Sequence, residues 1–296
     1  MEPRVSVSQI TTVRSSFADD VRLYAEAGLD GIGVWESKLG EGSDAEALEL
    51  LEQSGLGRAS AVPLVPSILP LPLLGGPEDP AERVESLCAS IERLARFRPS
   101  GIVCLTGTAE GRDPDEARSI VVDGLRTIAR EADRLGVRIA LEPYQRDGGE
   151  QWTIATSIPE TVALIEDAGD PPSLGIQFDV WHLWNTPSLF DDIASEVGRF
   201  AGVHVCDVRE PTRGWADRAL PGEGAANVPD ILRALDAAGW DGLYDIEIFS
   251  DDGTFGSDLA GSLWALPETE ALARARAAFE RCWSMHLTPQ GVEETT

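Results

Sequence analysis

The sequence predicts an α/β protein, a single-domain (β/α)8 barrel. Three observations predict it. Short apolar, β-branched runs alternate with longer runs of helical period, the pattern of a parallel sheet wrapped by helices. The alternation recurs eight times within 296 residues, a length that one barrel fills. Finally, four side chains of metal-binding type fall at the ends of four successive strands, where a barrel gathers them at one mouth.

The strands run in order along the chain. They are VSVSQI (5–10), GIGVW (31–35), ASAVPLV (59–65), GIVCLTG (101–107), VRIALEP (137–143), LGIQFD (174–179), GVHVCD (202–207) and LYDIEIF (243–249). Each is short and rich in Val, Ile or Leu, as buried parallel strands are. Helical spacing of apolar residues at three and four marks 19–28, 80–97, 115–136 and 229–239. Gly28, Gly136 and Gly239 stand at the ends of three of these as C-terminal stops. The barrel is assigned to 1–285, and 286–296 reads as a short polar tail.

Side-chain alternation assigns the inward residues. In the sixth strand Leu174, Ile176 and Phe178 face the helices, while Gly175, Gln177 and Asp179 face the axis. By the same period of two, Glu142, His204 and Glu247 also face inward, with Asp245 on the same parity as Glu247. Three inward carboxylates are costly together without a cation to compensate them. Three oxygen ligands and one imidazole suit Mn²⁺ first, then Co²⁺ or Mg²⁺, better than a structural zinc.

Charge and composition exclude several classes. With 24 Lys plus Arg against 51 Asp plus Glu, the formal net charge is −27, a field that repels nucleic acid. No window reaches the roughly 20 apolar residues of a membrane span, and the first residues lack a secretory leader's basic and apolar regions. A cytoplasmic protein is expected. Cys88, Cys104, Cys206 and Cys282 form no CxxC pair and read as reduced thiols. Lys38, the sole lysine, is the only Schiff-base candidate, and it reads as a solvated loop residue.

Two further features bear on a ligand. The apolar, proline-rich stretch 63–80 either packs over the barrel rim or serves as a lid or docking surface for another subunit. Trp35, Trp152, Trp181, Trp184, Trp215 and Trp264 fall at or after strand ends; indole rings there cover sugar faces or flat aromatic groups. No phosphate-binding signature appears, which favours an unphosphorylated sugar, cyclitol or glycoside.

The ligand series, with FDVWH (Asp179, His182), VHVCDV (His204, Asp207), DRALPGEG (217–224), DIEIF (Glu247) and the opening SQITTV, resembles the xylose-isomerase-like barrel family of sugar isomerases and epimerases. The resemblance implies that Glu142, Asp179, His204 and Glu247 bind the metal. It also implies that His182 contacts substrate and that Glu142 and Glu247 exchange the substrate's α-proton. It implies a substrate-binding arginine for which Arg209, Arg213 and Arg218 compete, Arg218 being favoured by its place before PGEG. Trp35, Tyr144 and Trp181 complete the expected substrate contacts. The leading expectation is an isomerase or epimerase acting through an enediolate. The alternative is a lyase, similar to inosose dehydratase or to the large subunit of a C-glycoside deglycosidase, which works with a small partner subunit. An oligomer is expected in either case. The family's nuclease branch needs many histidines and a basic surface, whereas this chain has three histidines and a large negative charge.

Overall fold

The computed structural model describes residues 2–72, 74–144 and 152–286. In chain order its strands are β1 (Arg4–Ser8), β2 (Gly31–Trp35), β3 (Gly57–Val62), β4 (Ile102–Cys104), β5 (Ile139–Leu141), β6 (Leu174–Asp179), β7 (Phe200–Val205), β8 (Asp207–Val208), β9 (Arg218–Ala219) and β10 (Leu243–Ile246). The strands β1 to β7 and β10 form a closed parallel barrel in which each pairs with the next and β10 returns to β1. The pair β8–β9 is a small antiparallel ribbon above the mouth. Among the described residues no helix is long and apolar enough to cross a membrane.

Local chemistry sets the helix ends. Asp79 accepts a hydrogen bond from the Ala81 amide and is followed by Pro80, so the helix Pro80–Ala95 starts with a cap and a proline in its first turn. Asp113 and Pro114 repeat the device for the helix Pro114–Leu135, which Gly136 ends at φ +71°, a conformation that costs glycine little. The last helix, Glu268–His286, runs to the last described residue. The remainder of the expected tail, 287–296, lies outside the described residues.

The third and fourth strands differ from expectation at their C-terminal ends. The ladder stops at Val62 and Cys104 because the chain beyond them pairs with itself. Leu105 donates its amide to Pro66 O at 2.7 Å, and Ile68 and Leu69 donate back to Leu105 O and Thr106 O. A Cβ on Gly107 would collide with Leu69 O, so glycine permits this close approach. The apolar stretch after β3 therefore packs over the rim, with Ile68 and Leu69 fully buried. Arg83 from the helix Pro80–Ala95 reaches under it to Ser67 O and Oγ, Gly75 O and Pro77 O. Those bonds satisfy backbone carbonyls that burial would otherwise strand.

Candidate metal centre and substrate pocket

The four expected ligands come from four barrel strands. Asp179 ends β6 and accepts the Trp181 amide at 2.8 Å, which fixes its carboxylate against the following turn. Glu142 and Glu247 each follow a strand by one residue, their amides held by Cys104 O and Val205 O. His204 lies within β7. Its Nδ1 is 3.3 Å from Glu247 Oε2 and 3.8 Å from both Glu142 Oε1 and Asp179 Oδ2. Ligand atoms of Glu142, Asp179 and His204 lie within 4.8 Å of one another.

Arg218, from β9, closes this cluster. Its Nη1 is 2.9 Å from Asp179 Oδ2 and 3.0 Å from Glu247 Oε2. The other two candidate arginines stand elsewhere: Arg209 and Arg213 both clamp Asp217. All five clustered side chains are buried, and Asp179 is wholly so. Burial thus sharpens every charge interaction among them.

The groups titrate as a set. Burial, reinforced by Asp179 and Glu247, pushes the Glu142 carboxyl up to about 7. Burial also works against ionisation of Asp179, yet Arg218, His182 and His204 outweigh it and hold that carboxyl well below the usual range. Glu247 is likewise lowered, because His204 and Arg218 outweigh burial. His204 is raised well above an ordinary histidine: burial opposes its charge, and the three carboxylates prevail. The donor set fits a divalent cation, being oxygen-rich with one imidazole. The His204 Nδ1 distances are also longer than ordinary hydrogen bonds, and that nitrogen makes none.

Above the cluster is a cavity of about 260 Å³. Glu142, His182, His204, Arg218 and Glu247 form one side, and Val62, Leu71, Val103 and Leu105 the other. Trp35, Tyr144, Trp152, Trp181 and Trp215 line the walls between. The His182 ring lies 3.6 Å from Tyr144 between centroids, with Nε2 3.7 Å from Asp179 Oδ2. The Arg218 guanidinium lies over Trp181 and Phe249 at 5.3 and 4.8 Å, a cation–π arrangement. Two tryptophans expected at the mouth do not line it. Trp264 instead donates to Ile248 O at 3.1 Å and packs on Phe249, and Trp184 packs against the core.

Several supporting residues escaped the sequence reading. Ser8 donates to Glu247 Oε1 at 3.2 Å and accepts from Trp35 Nε1 at 2.9 Å. Gln9 accepts the Trp35 amide and donates to Asp20. Lys38 is not solvated: its Nζ is 2.7 Å from both Asp20 Oδ2 and Thr12 O, and Asp20 is fully buried. Burial lowers the Lys38 ammonium and Asp20 opposes that shift. The inward parity of Ser8 in the first strand was the available signal.

A putative hydroxypyruvate isomerase of Streptomyces coelicolor is 28% identical over 240 residues, covering 75% of this chain and 82% of the relative. A 3-dehydroshikimate dehydratase of Pseudomonas putida is 27% identical over 158 residues, 51% of this chain and only 23% of that longer protein. The solved structure of IOLI protein with a bound zinc atom superposes with a TM-score of 0.77 at 18% identity, covering 96% of this chain and 99% of the other. At that identity the likeness shows the fold. Residues 21–282 match the xylose isomerase-like TIM barrel as a family. This chain belongs to that family.

Proposed function

We propose that the protein is a divalent-metal-dependent isomerase or epimerase of an unphosphorylated keto sugar or cyclitol, working through an enediolate. The observation that carries this reading is the convergence of Glu142, Asp179 and His204 within 4.8 Å at the barrel mouth, with Glu247 beside His204 and open to the same cavity. Glu142, Asp179, His204 and Glu247 would hold the ion, with Mn²⁺ the first choice and Co²⁺ or Mg²⁺ the next. When bound, the ion polarises a carbonyl and stabilises developing negative charge on its oxygen.

The chain's own residues supply the rest. Of Glu142 and Glu247, one carboxylate takes the C–H proton beside the carbonyl and the other returns one. Arg218 keeps Asp179 and Glu247 in place through its two short contacts. His182 reaches a substrate hydroxyl or carbonyl oxygen, while Trp35, Tyr144 and Trp181 enclose the sugar and exclude water. Free cysteines are consistent with a reducing, cytoplasmic setting.

A second reading is favoured by the apolar wall and by the dehydratase relative. The same proton abstraction followed by loss of a β-substituent gives a lyase. A glycoside whose aglycone is apolar would rest against Val62, Val103 and Leu105, where sugar hydroxyls would lose hydrogen bonds. A small partner subunit belongs to this reading, and an oligomer to either.

The test is exchange in deuterated buffer with Mn²⁺-loaded protein, followed by chelation and proton NMR, on free ketoses, inososes and 3-keto glycosides. Deuterium beside the carbonyl with the skeleton retained is expected. Release of water or an aglycone would instead establish the lyase. Glu247→Gln should slow exchange by ~10²–10⁴-fold, and a wild-type rate in that variant would remove Glu247 from the mechanism.

A further inference from the structure

His204 presents its two nitrogens to different surroundings. Nδ1 faces Glu142, Asp179 and Glu247. Nε2 points the other way and lies 2.7 Å from the hydroxyl of Ser60 on β3. Beneath it is Asp245, on the inward parity of β10 and opposite His204 in the barrel register. Asp245 is 1% exposed, Ser60 2%, and Asp245 Oδ2 is 3.8 Å from His204 Nε2. The barrel makes room for this carboxylate, because a Cβ on Gly33 of the neighbouring region of the wall would collide with Asp245 Oδ2. Asp245 contributes nothing to the substrate cavity or to the proposed ligand set.

Proton counting gives the bond its direction. If Nε2 carries a proton it donates to Ser60 Oγ, and the single Ser60 hydroxyl proton is left free to turn to the Asp245 side, where both buried carboxylate oxygens stand without a hydrogen-bond partner. The reverse arrangement has Ser60 donating to Nε2. It would turn an oxygen lone pair toward the Asp245 carboxylate and move the imidazole proton to Nδ1, the nitrogen a cation needs.

We infer that Ser60 and Asp245 are positioning residues, which hold the His204 ring with Nε2 as the proton-bearing nitrogen and so turn Nδ1 to the ion. This rests on the metal reading above. It extends that reading downward, from the mouth into the barrel floor, and assigns a purpose to a buried acid that stability alone does not explain. Outer partners of this kind orient ligating histidines and influence metal affinity by about 10–100-fold.

The experiment is titration calorimetry of chelator-stripped protein with Mn²⁺, on wild type, Ser60→Ala, Ser60→Thr and Asp245→Asn, each checked for folding by circular dichroism. Ser60→Ala is expected to weaken Mn²⁺ about 10–100-fold, with Ser60→Thr, which keeps the hydroxyl, restoring most of the loss. In parallel, ¹⁵N-histidine spectra of the protein loaded with diamagnetic Mg²⁺, where a bound ion would keep the proton off Nδ1, assigned with His204→Ala, should show a slowly exchanging His204 Nε2–H that disappears in Ser60→Ala. A merely structural serine would not move that resonance. Equal Mn²⁺ affinity in wild type and Ser60→Ala would overturn the inference alone. No Mn²⁺ uptake by wild type would overturn the metal reading and the inference with it. If Ser60→Ala does not fold, Asp245→Asn with unaltered affinity and an unaltered Nε2–H would overturn it equally.

Discussion

The two walls of the cavity are built on different principles. On the side of β5, β6, β7 and the residue after β10, side chains are charged and cross-linked: Arg218 joins Asp179 to Glu247, Ser8 holds the other Glu247 oxygen, and His204 lies among three carboxylates. On the side of β3 and β4, Val62, Val103, Leu105 and Leu71 form an apolar cluster of their own, against which Trp35, Tyr144 and Trp152 pack. Position is fixed by hydrogen bonds on the first side and by shape on the second. Under the proposed function the difference would separate reaction from recognition: one wall would change charge during a turnover, and the other would select what enters.

That separation can be broken experimentally. Removing an imidazole from the charged wall should have the largest effect. His204→Ala is expected to weaken Mn²⁺ by at least about 100-fold while leaving the barrel folded, and unchanged calorimetric affinity and stoichiometry would strike it from the ligand set. A polar group on the apolar wall should act on substrate alone. Leu105→Asn is expected to raise KM about tenfold, the equivalent of about 1.4 kcal/mol, with Mn²⁺ affinity unmoved; a matching loss of metal would show that the walls are not independent. Ser8→Ala removes one 3.2 Å contact to Glu247 and should slow isotope exchange roughly fivefold, or about 1 kcal/mol, without changing Mn²⁺ affinity. A Mn²⁺ loss there equal to that of His204→Ala would make Ser8 part of the ion's own support.

The charged wall was legible because of parity. Asp179 and His204 stand on strands, and Glu142 and Glu247 one residue after strands, whose outward neighbours are plainly apolar, so period two alone turns them inward. The apolar wall was less so. Leu105 and Leu71 reach the cavity through pairing between the stretch after β3 and the end of β4, a tertiary arrangement with no local signature in the apolar, proline-rich stretch 63–80. Asp20 is harder still. It follows Asp19 in what reads as an ordinary acidic first turn of a helix, yet Asp19 is exposed and Asp20 fully buried. Only the fold, by bringing Lys38, Gln9 and Thr12 to it, distinguishes the two. Ser60 was similarly silent, since its partner lies 144 residues away.

The tether on Lys38 has a practical consequence. Every other basic residue besides histidine is arginine, so a protease specific for lysine has one place to cut. That place is a short turn whose lysine side chain is 10% exposed and bonded at its tip. Cleavage needs an extended, accessible segment, so the rate of the single cut reports how often the first two strand–helix units open. The chain carries a built-in clock for local unfolding at the seam where β1 and β2 meet.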